Sequence, residues 1–338
     1  MLSVQENFSL LPYNTFGMDV RASCFTAIRA EEDIAAIYEL PDFKKGILVL
    51  GGGSNMLLTR DVDRWVIHNE LKGIRTVRED ERSVWLEVAA GEIWHGFVVY
   101  CVSKGWGGVE NLSLIPGRVG AAPIQNIGAY GAEVKDTIEE VRFWHLEEKQ
   151  FYSFKNAACD FGYRESIFKH VLKGKIIITS VTFRLSKQPE FNTSYGNIRQ
   201  ELDIMGVTEL SLKHISDAVI RIRSAKLPDP KETGNAGSFF KNPEISAQQY
   251  EFLKADHTAV PGYILSADKV KVPAAWLIEQ CGWKGYRRGN YGVHNHQALV
   301  LVNYGGAKGQ DIYALSEEII CSVNERFGIL LEREVQVL

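Results

Sequence analysis

A hydroxyl, a cation and a side-chain amide stand within five residues at Ser238, Lys241 and Asn242, inside the run Asn-Ala-Gly-Ser-Phe-Phe-Lys-Asn-Pro from Asn235 to Pro243. Such a set can donate a proton, hold an anion and orient a carbonyl. A glycine precedes the serine. Just upstream, Lys226 leads into two prolines, Pro228 and Pro230, which stiffen the backbone before Lys231. A segment this polar, broken by glycine and proline, reads as a loop that turns polar groups toward a ligand, not as a packed helix or a core strand. The ordinary alternative is a surface loop of chance polarity.

Two glycine-bearing segments suggest what that ligand site contains. Gly51, Gly52, Gly53, Ser54 and Asn55 follow the short apolar strand expected at Gly46–Leu50. Without Cβ atoms, consecutive N–H groups can approach a phosphate and form an anion-binding nest. The pattern is not a Rossmann fingerprint, because Met56 stands where glycine is needed, and no Walker lysine follows. A plain tight turn after a strand is the alternative. The second segment, Leu114 to Gly131, has four glycines and two prolines and almost no charge. Backbone lying against a large flat ligand accounts for it. Ala121, Ala122 and Gly128 would clear room for rings, and Gln125 and Asn126 could bond polar edges. Together the segments suggest a dinucleotide held by backbone, with flavin more natural than nicotinamide as the resident cofactor. In Phe161–Ser166, Tyr163 and Arg164 offer a phenol beside a bidentate carboxylate clamp. Near the C-terminus, Glu332 and Glu334 at i and i+2 fall on one face if that stretch is a strand, one of them able to serve as acid or electrostatic partner. The ordinary alternatives are a surface arginine for the first pair and an exposed terminal strand for the second.

The elements that must position these groups follow from pattern. Alternation predicts strands at Ser83–Ala89, Lys175–Leu185 and Gln297–Asn303, and a hairpin over Glu139–Phe154. Helices are expected over Val207–Arg223, over Pro273–Cys281 with Gly282 as its cap, and over Asp311–Phe327 with Ile312, Leu315, Ile319 and Val323 on one stripe. This is an α+β mixture, with boundaries expected near Leu71–Gly73 and near Ser224. At 338 residues and 45% hydrophobic content the chain can bury two or three cores. Its net charge of -4 is mixed along the chain, which argues against nucleic acid or an anionic membrane surface as partner. No signal peptide and no apolar run long enough for a bilayer are visible. The five cysteines are scattered, with no Cys-x-x-Cys pair, so neither structural zinc nor a disulfide framework is expected, and a reducing cytoplasm fits. His294 and His296 would share a strand face, but no carboxylate or thiol ligand lies near them in sequence, and no metal is expected.

Taken together, these motifs and their order resemble the UDP-N-acetylenolpyruvoylglucosamine reductases (the MurB family), in their longer, type I branch. The resemblance runs from Asn14-Thr15-Phe16-Gly17 to Glu334 through the Gly51–Asn55, Pro116–Gly131, Phe161–Ser166, Lys226–Lys231 and Asn235–Pro243 motifs. It implies a vanillyl-alcohol-oxidase/PCMH-type FAD-binding fold in two lobes plus a smaller α/β substrate-binding domain. The lobes would be 1–70 and 71–223 with 328–338, and the substrate domain 224–327. It also implies a monomeric cytoplasmic enzyme of peptidoglycan precursor synthesis. Non-covalent FAD would take hydride from NADPH, as co-substrate, and pass it to C3 of the enolpyruvyl group of a nucleotide sugar.

The same resemblance implies residue roles. Arg164 would hold the substrate carboxylate with Glu334 beside it, and Ser238 would give a proton to C2. Lys226 would lie between sugar, cofactor and nicotinamide. Tyr195 and Lys284 would close over the diphosphate, Asn242 and Gln297 would contact substrate, and Tyr163 would stand beside the clamp. Gly51, Gly52, Gly53, Ser54, Asn55, Pro116, Gly117, Gly120, Ala121, Ala122, Gln125, Asn126, Gly128 and Ile178 would hold FAD. Ala121 and Ala122 replace serines common in the family, and a short final strand is expected to fray around Glu334. The competing readings are another FAD oxidoreductase of this fold and a non-catalytic nucleotide-sugar-binding protein.

Overall fold

The computed structural model describes residues 2–40 and 46–338; Met1 and residues 41–45, which fall in the expected 1–70 lobe, lie outside the described residues. The chain divides into two compact units. The first comprises residues 1–8, 22–52 and 63–225, the second residues 9–21, 53–62 and 226–338.

Among the described residues, the first unit holds two larger sheets and a two-stranded ladder of Gly128–Ala129 with Ala132–Glu133. One is antiparallel with five strands, ordered Gln150–Lys155, Ile138–His145, Ile176–Ser186, Ser83–Ala89, Ile74–Glu79. The alternation read at Val84, Leu86 and Val88 produces the expected burial, all three being in the core. The hairpin forms around Glu147–Lys149, and Phe143 stacks on its cross-strand partner Tyr152 at 5.9 Å. Against this sheet pack the helix Trp94–Ser103 and the segment around Val119 and Ala122, in one cluster with Trp94, Phe97 and Phe183. The second sheet pairs Ile47–Leu50 in parallel with Val62–Asn69, so that Leu50 lies beside His68. The helix expected over Val207–Arg223 runs Leu212–Lys226. A short helix at Ile198–Ile204 was not legible, because only Ile198 and Leu202 bury and its approach, Phe191 to Gly196, reads as loop.

In the second unit the helix Gly309–Phe327 buries Ile312, Leu315, Ile319 and Val323 as its stripe predicts, and Gly328 ends it in the left-handed conformation at φ 64°. Ala274–Gln280 is the expected short helix, with Pro273 at its N-cap. The C-terminal part of the Gln297–Asn303 stretch forms a strand, Val300–Asn303.

Three readings need correction. Asn235–Pro243 is not simply a loop: Gly234–Ser238 is a strand paired with Val300–Asn303, and Asn235, Phe239 and Phe240 are buried. The polarity that suggested a loop is spent inside the protein. Asn235 Nδ2 donates to the Pro228 and Thr233 carbonyls, and its Oδ1 accepts the Gly237 N–H. Second, His294 and His296 lie beyond the end of strand Tyr291–Val293, their rings 5.6 Å apart. Third, Glu332 and Glu334 flank an isolated bridge between Arg333 and Phe240, and the terminal strand proper is Gln336–Val337. Among the described residues no helix is long and apolar enough to cross a membrane, and no group of three or more His, Cys, Asp or Glu could hold a metal ion.

Candidate active site

In the first unit, two distant motifs are laced together around Arg164. Gly162 and Glu165 exchange backbone hydrogen bonds of 3.0 and 3.3 Å, which makes Tyr163 and Arg164 the corner of a tight turn. Arg164 sits there at φ 58°, a left-handed conformation a non-glycine residue adopts only where its surroundings impose it. Its Nη2 donates to the Gly128 carbonyl at 2.6 Å and its Nη1 to the Asn126 carbonyl at 3.3 Å. Asn126 is buried, at φ 44°, and returns a bond from Nδ2 to the Gly162 carbonyl at 2.9 Å. Ser166 Oγ donates to the Ile124 carbonyl at 2.6 Å. A Cβ on Gly128 would crowd the Ala132 carbonyl at 3.0 Å and press on Arg164 Nη1 at 2.9 Å. The clamp and the Gln125–Gly128 segment are therefore one rigid piece.

The same unit brings the two glycine segments together. A Cβ on Gly52 would meet the Gly117 Cα at 3.0 Å, and one on Gly51 would touch the Arg118 side chain at 3.5 Å. The Gly117–Gly120 stretch is held by backbone bonds from Trp94 to Gly117, Val119 to Glu92 and Gly120 to Ala90. Gly120 is small for packing, its Cβ position lying 2.5 Å from the Ala90 Cβ. The Ala122 methyl faces the core, so only Ala121, which is exposed, keeps a side chain at the surface of this turn. Pro116 is exposed and Gln125 partly buried. Ile178 is buried, and its carbonyl accepts the Asn69 side chain at 2.9 Å. Such bare, immobile backbone fits a dinucleotide cofactor approached by N–H groups.

Tyr195 is exposed, on the loop against which Gly131 packs. Near it is a group the motif reading passed over. Arg223, one turn before Lys226, has a buried Nε without a hydrogen-bond partner among the described residues, and desolvation pulls its pKa down, opposed by Tyr130. His95 is also shifted down, by burial and then by the Arg223 charge, and its Nδ1 accepts the Leu114 N–H.

In the second unit, the strand carrying Ser238 has a bulge. Its pairing with Val300–Asn303 slips between Asn235 and Ser238, and Gly237 takes φ 69° at the slip. Bulges of this kind re-aim the next side chain, here Ser238. Beside it runs the chain end. Glu334 N–H donates to the Phe239 carbonyl at 2.9 Å and Lys241 N–H to the Glu332 carbonyl at 2.8 Å. Lys241 is buried, and its Nζ lies 2.5 Å from Glu332 Oε1. The Asn55 side chain donates to the Glu334 carbonyl at 3.2 Å, while Gln336 N–H donates to the Asn55 carbonyl at 3.1 Å. Gln336–Val337 pairs in parallel with Met56–Leu57. The expected fraying of this strand is replaced by a continuous set of tethers. Gly53 is excluded from bearing a side chain by the Tyr13 carbonyl, 2.0 Å from its Cβ position; it and Ser54 lead into Asn55.

The remaining substrate candidates of this unit are more scattered. The Asn242 side-chain Oδ1 accepts the Ala274 N–H at 2.9 Å, at the start of the helix Ala274–Gln280. Lys226 is exposed, and so is Lys284, whose Nζ pairs with Glu279 at 2.9 Å. Gln297 is partly buried, two residues past Asn295, which abuts Gly285.

The model of the FAD binding domain matches residues 22–148, and that of the UDP-N-acetylenolpyruvoylglucosamine reductase C-terminal domain matches residues 229–338. A UDP-N-acetylenolpyruvoylglucosamine reductase of Flavobacterium johnsoniae is 50% identical over the full length of both chains. One of Chromobacterium violaceum is 49% identical, covering 100% of this chain and 99% of its own. The crystal structure of the Thermus caldophilus reductase superposes with a TM-score of 0.68 at 25% identity, covering 100% of this chain and 99% of that one. A solvent-stable cholesterol oxidase shares the fold, with a TM-score of 0.50 at 10% identity, over 98% of this chain and 87% of that one. With both of its halves matched and full-length relatives at half identity, the chain belongs to the UDP-N-acetylenolpyruvoylglucosamine reductase family, as an FAD-binding oxidoreductase.

Proposed function

We propose that this protein reduces UDP-N-acetylglucosamine enolpyruvate to UDP-N-acetylmuramate, with NADPH as the electron source. The observation that carries the reading is the seating of Glu334 on the Ser238 segment by the Glu334 N–H to Phe239 carbonyl bond, 2.9 Å long. When bound, FAD supplies two-electron hydride chemistry between NADPH and C3 of the enolpyruvyl group. The residues supply the rest. Arg164, preset by the Gly128 and Asn126 carbonyls, orients the substrate carboxylate and balances the charge that grows on it. Ser238 delivers its proton to C2; a hydroxyl is a weak acid, but a carbanion-like carbon is a strong enough base to take it. Glu334 acts in its protonated form or sharing a proton, since a second negative charge on the developing dianion would oppose the reaction. Tyr163 flanks the clamp. Tyr195 and Lys284 bind the diphosphate, and Lys226, Asn242 and Gln297 make further substrate contacts. Gly51–Asn55, Pro116–Gly128 and Ile178 hold the cofactor without a covalent bond.

This reading keeps the three-part division into FAD lobes at 1–70 and 71–223 with 328–338 and a substrate domain at 224–327. It also keeps a monomer working in the cytoplasm. The test is NADPH oxidation by the FAD-loaded protein with and without the enolpyruvyl UDP-sugar. Oxidation that requires the sugar supports the proposal. Oxidation indifferent to it indicates another acceptor, and none at all, in a protein carrying FAD, indicates another donor.

A further inference from the structure

One buried titratable group stands directly behind the Gly51–Gly52 turn. His68 is 4% exposed, on the strand Val62–Asn69, beside Leu50 in the neighbouring strand. Its imidazole bonds the Gly51 carbonyl, and its Nδ1 lies 3.0 Å from Glu70 Oε1. Glu70 is itself held by Arg29 Nε at 2.8 Å. The other groups facing the ring are Arg118, whose charge reaches it and whose Nη1 donates to the Gly91 carbonyl at 2.5 Å, and the Phe25 ring at 6.1 Å.

The geometry of a peptide unit gives this arrangement a consequence. The unit is planar and trans, so the Gly51 carbonyl and the Gly52 N–H point in opposite directions. A carbonyl fixed toward a buried imidazole fixes the N–H away from it. With glycine on both sides, this peptide would otherwise flip at little cost, and a flip would present an oxygen where a phosphate needs a donor. We propose that His68 is a positioning residue for the cofactor: by holding the Gly51 carbonyl it keeps the Gly52 N–H in the orientation that receives a phosphate of the FAD diphosphate. The inference rests on the placement of the cofactor at this turn. Both neighbours of the ring are acceptors, so the imidazolium satisfies both and the neutral ring only one. Burial, then Arg118, outweigh Glu70 and the carbonyl and bring its titration below the usual 6.5. The grip therefore tightens as pH falls through that range.

The experiment titrates FAD into the stripped protein, followed by flavin fluorescence, between pH 5.5 and 8. Wild type is expected to bind more tightly toward the acid end. His68→Phe, which fills the space without a donor, is expected to bind about 10-fold more weakly. His68→Gln, which keeps a donor and cannot titrate, should recover most of the affinity with a flat pH profile. Unchanged affinity in His68→Phe, or an undiminished pH profile in His68→Gln, overturns the proposal. Where the Phe variant fails to fold by thermal melt, Glu70→Gln replaces it: it is expected to move the pH response to lower pH, and an unmoved response rejects the role. Gly52→Val separates the premises, because its side chain would strike Gly117. If Gly52→Val binds FAD normally, the cofactor does not sit at this turn. If it binds poorly while His68→Phe binds normally, only the role of His68 falls.

Discussion

Ser238 carries the most specific expectation at the scale of single residues. Its proton is needed only after hydride reaches the substrate. Ser238→Ala is therefore expected to leave flavin reduction by NADPH intact and to slow reoxidation by the enolpyruvyl sugar about 10²–10⁴-fold. Stopped-flow absorbance resolves the two half-reactions, and equal slowing of both removes the proton-donor role. Arg164 calls for a different measurement. Two backbone carbonyls already fix its guanidinium, so a lysine could not keep both bonds and also present a fork to a carboxylate. Arg164→Lys is expected to raise KM for the sugar by roughly 10–100-fold, the worth of one charge-assisted bond. Steady-state kinetics decide it; an unchanged KM means that the carboxylate is held elsewhere. The residue types of these two positions were legible because hydroxyl and guanidinium chemistry is local. Arg223 and His68 were not, because their importance comes from burial against other elements, which no local pattern encodes.

Among elements, the C-terminal segment has the clearest energetic role. Residues 335–338 contribute the buried Val335 and the backbone bonds Gln336 to Asn55, Leu338 to Leu57 and Thr59 to Leu338. Their deletion is expected to cost roughly 3–6 kcal/mol of stability and most of kcat, because Glu334 loses its seat. Urea midpoints and turnover test this; a deletion that lowers neither means that the bridge at Arg333 suffices alone. The long helices and paired strands of the fold were legible because periodicity survives burial. The strand Gly234–Ser238 was not, since the Asn235 side chain satisfies backbone groups that a loop would have offered to water. The seat of Glu334 was equally hidden. It depends on Asn55, 279 positions away in sequence.

For the molecule as a whole, two thiols set a limit on stability at high pH. Cys101 and Cys159 are fully buried, and desolvation pushes Cys159 up to about 12 and Cys101 further still, from an ordinary value of 9.0. In the unfolded chain both ionise near 9.0, while in the folded protein they stay protonated. The unfolded state then sheds protons that the folded state keeps, so stability is intact below that pH and falls as pH rises above it. Urea midpoints are expected to drop between pH 8.5 and 10.5, and less steeply in a Cys101→Ala, Cys159→Ala double variant. An identical slope in both proteins means that other groups set the alkaline limit.

The tether between Asn55 and Glu334 also fixes an order of events during synthesis. All pieces of the first unit have been made once Ala225 is added, whereas residues 9–21 and 53–62 of the second wait for partners after Lys226. Met56 and Leu57 are among those that wait long, since the strand they pair with, Gln336–Val337, lies 280 positions later. At about 5–20 residues per second that delay is roughly 14–56 s. For that time the newborn chain carries an unpaired apolar strand edge, open to pairing with another chain.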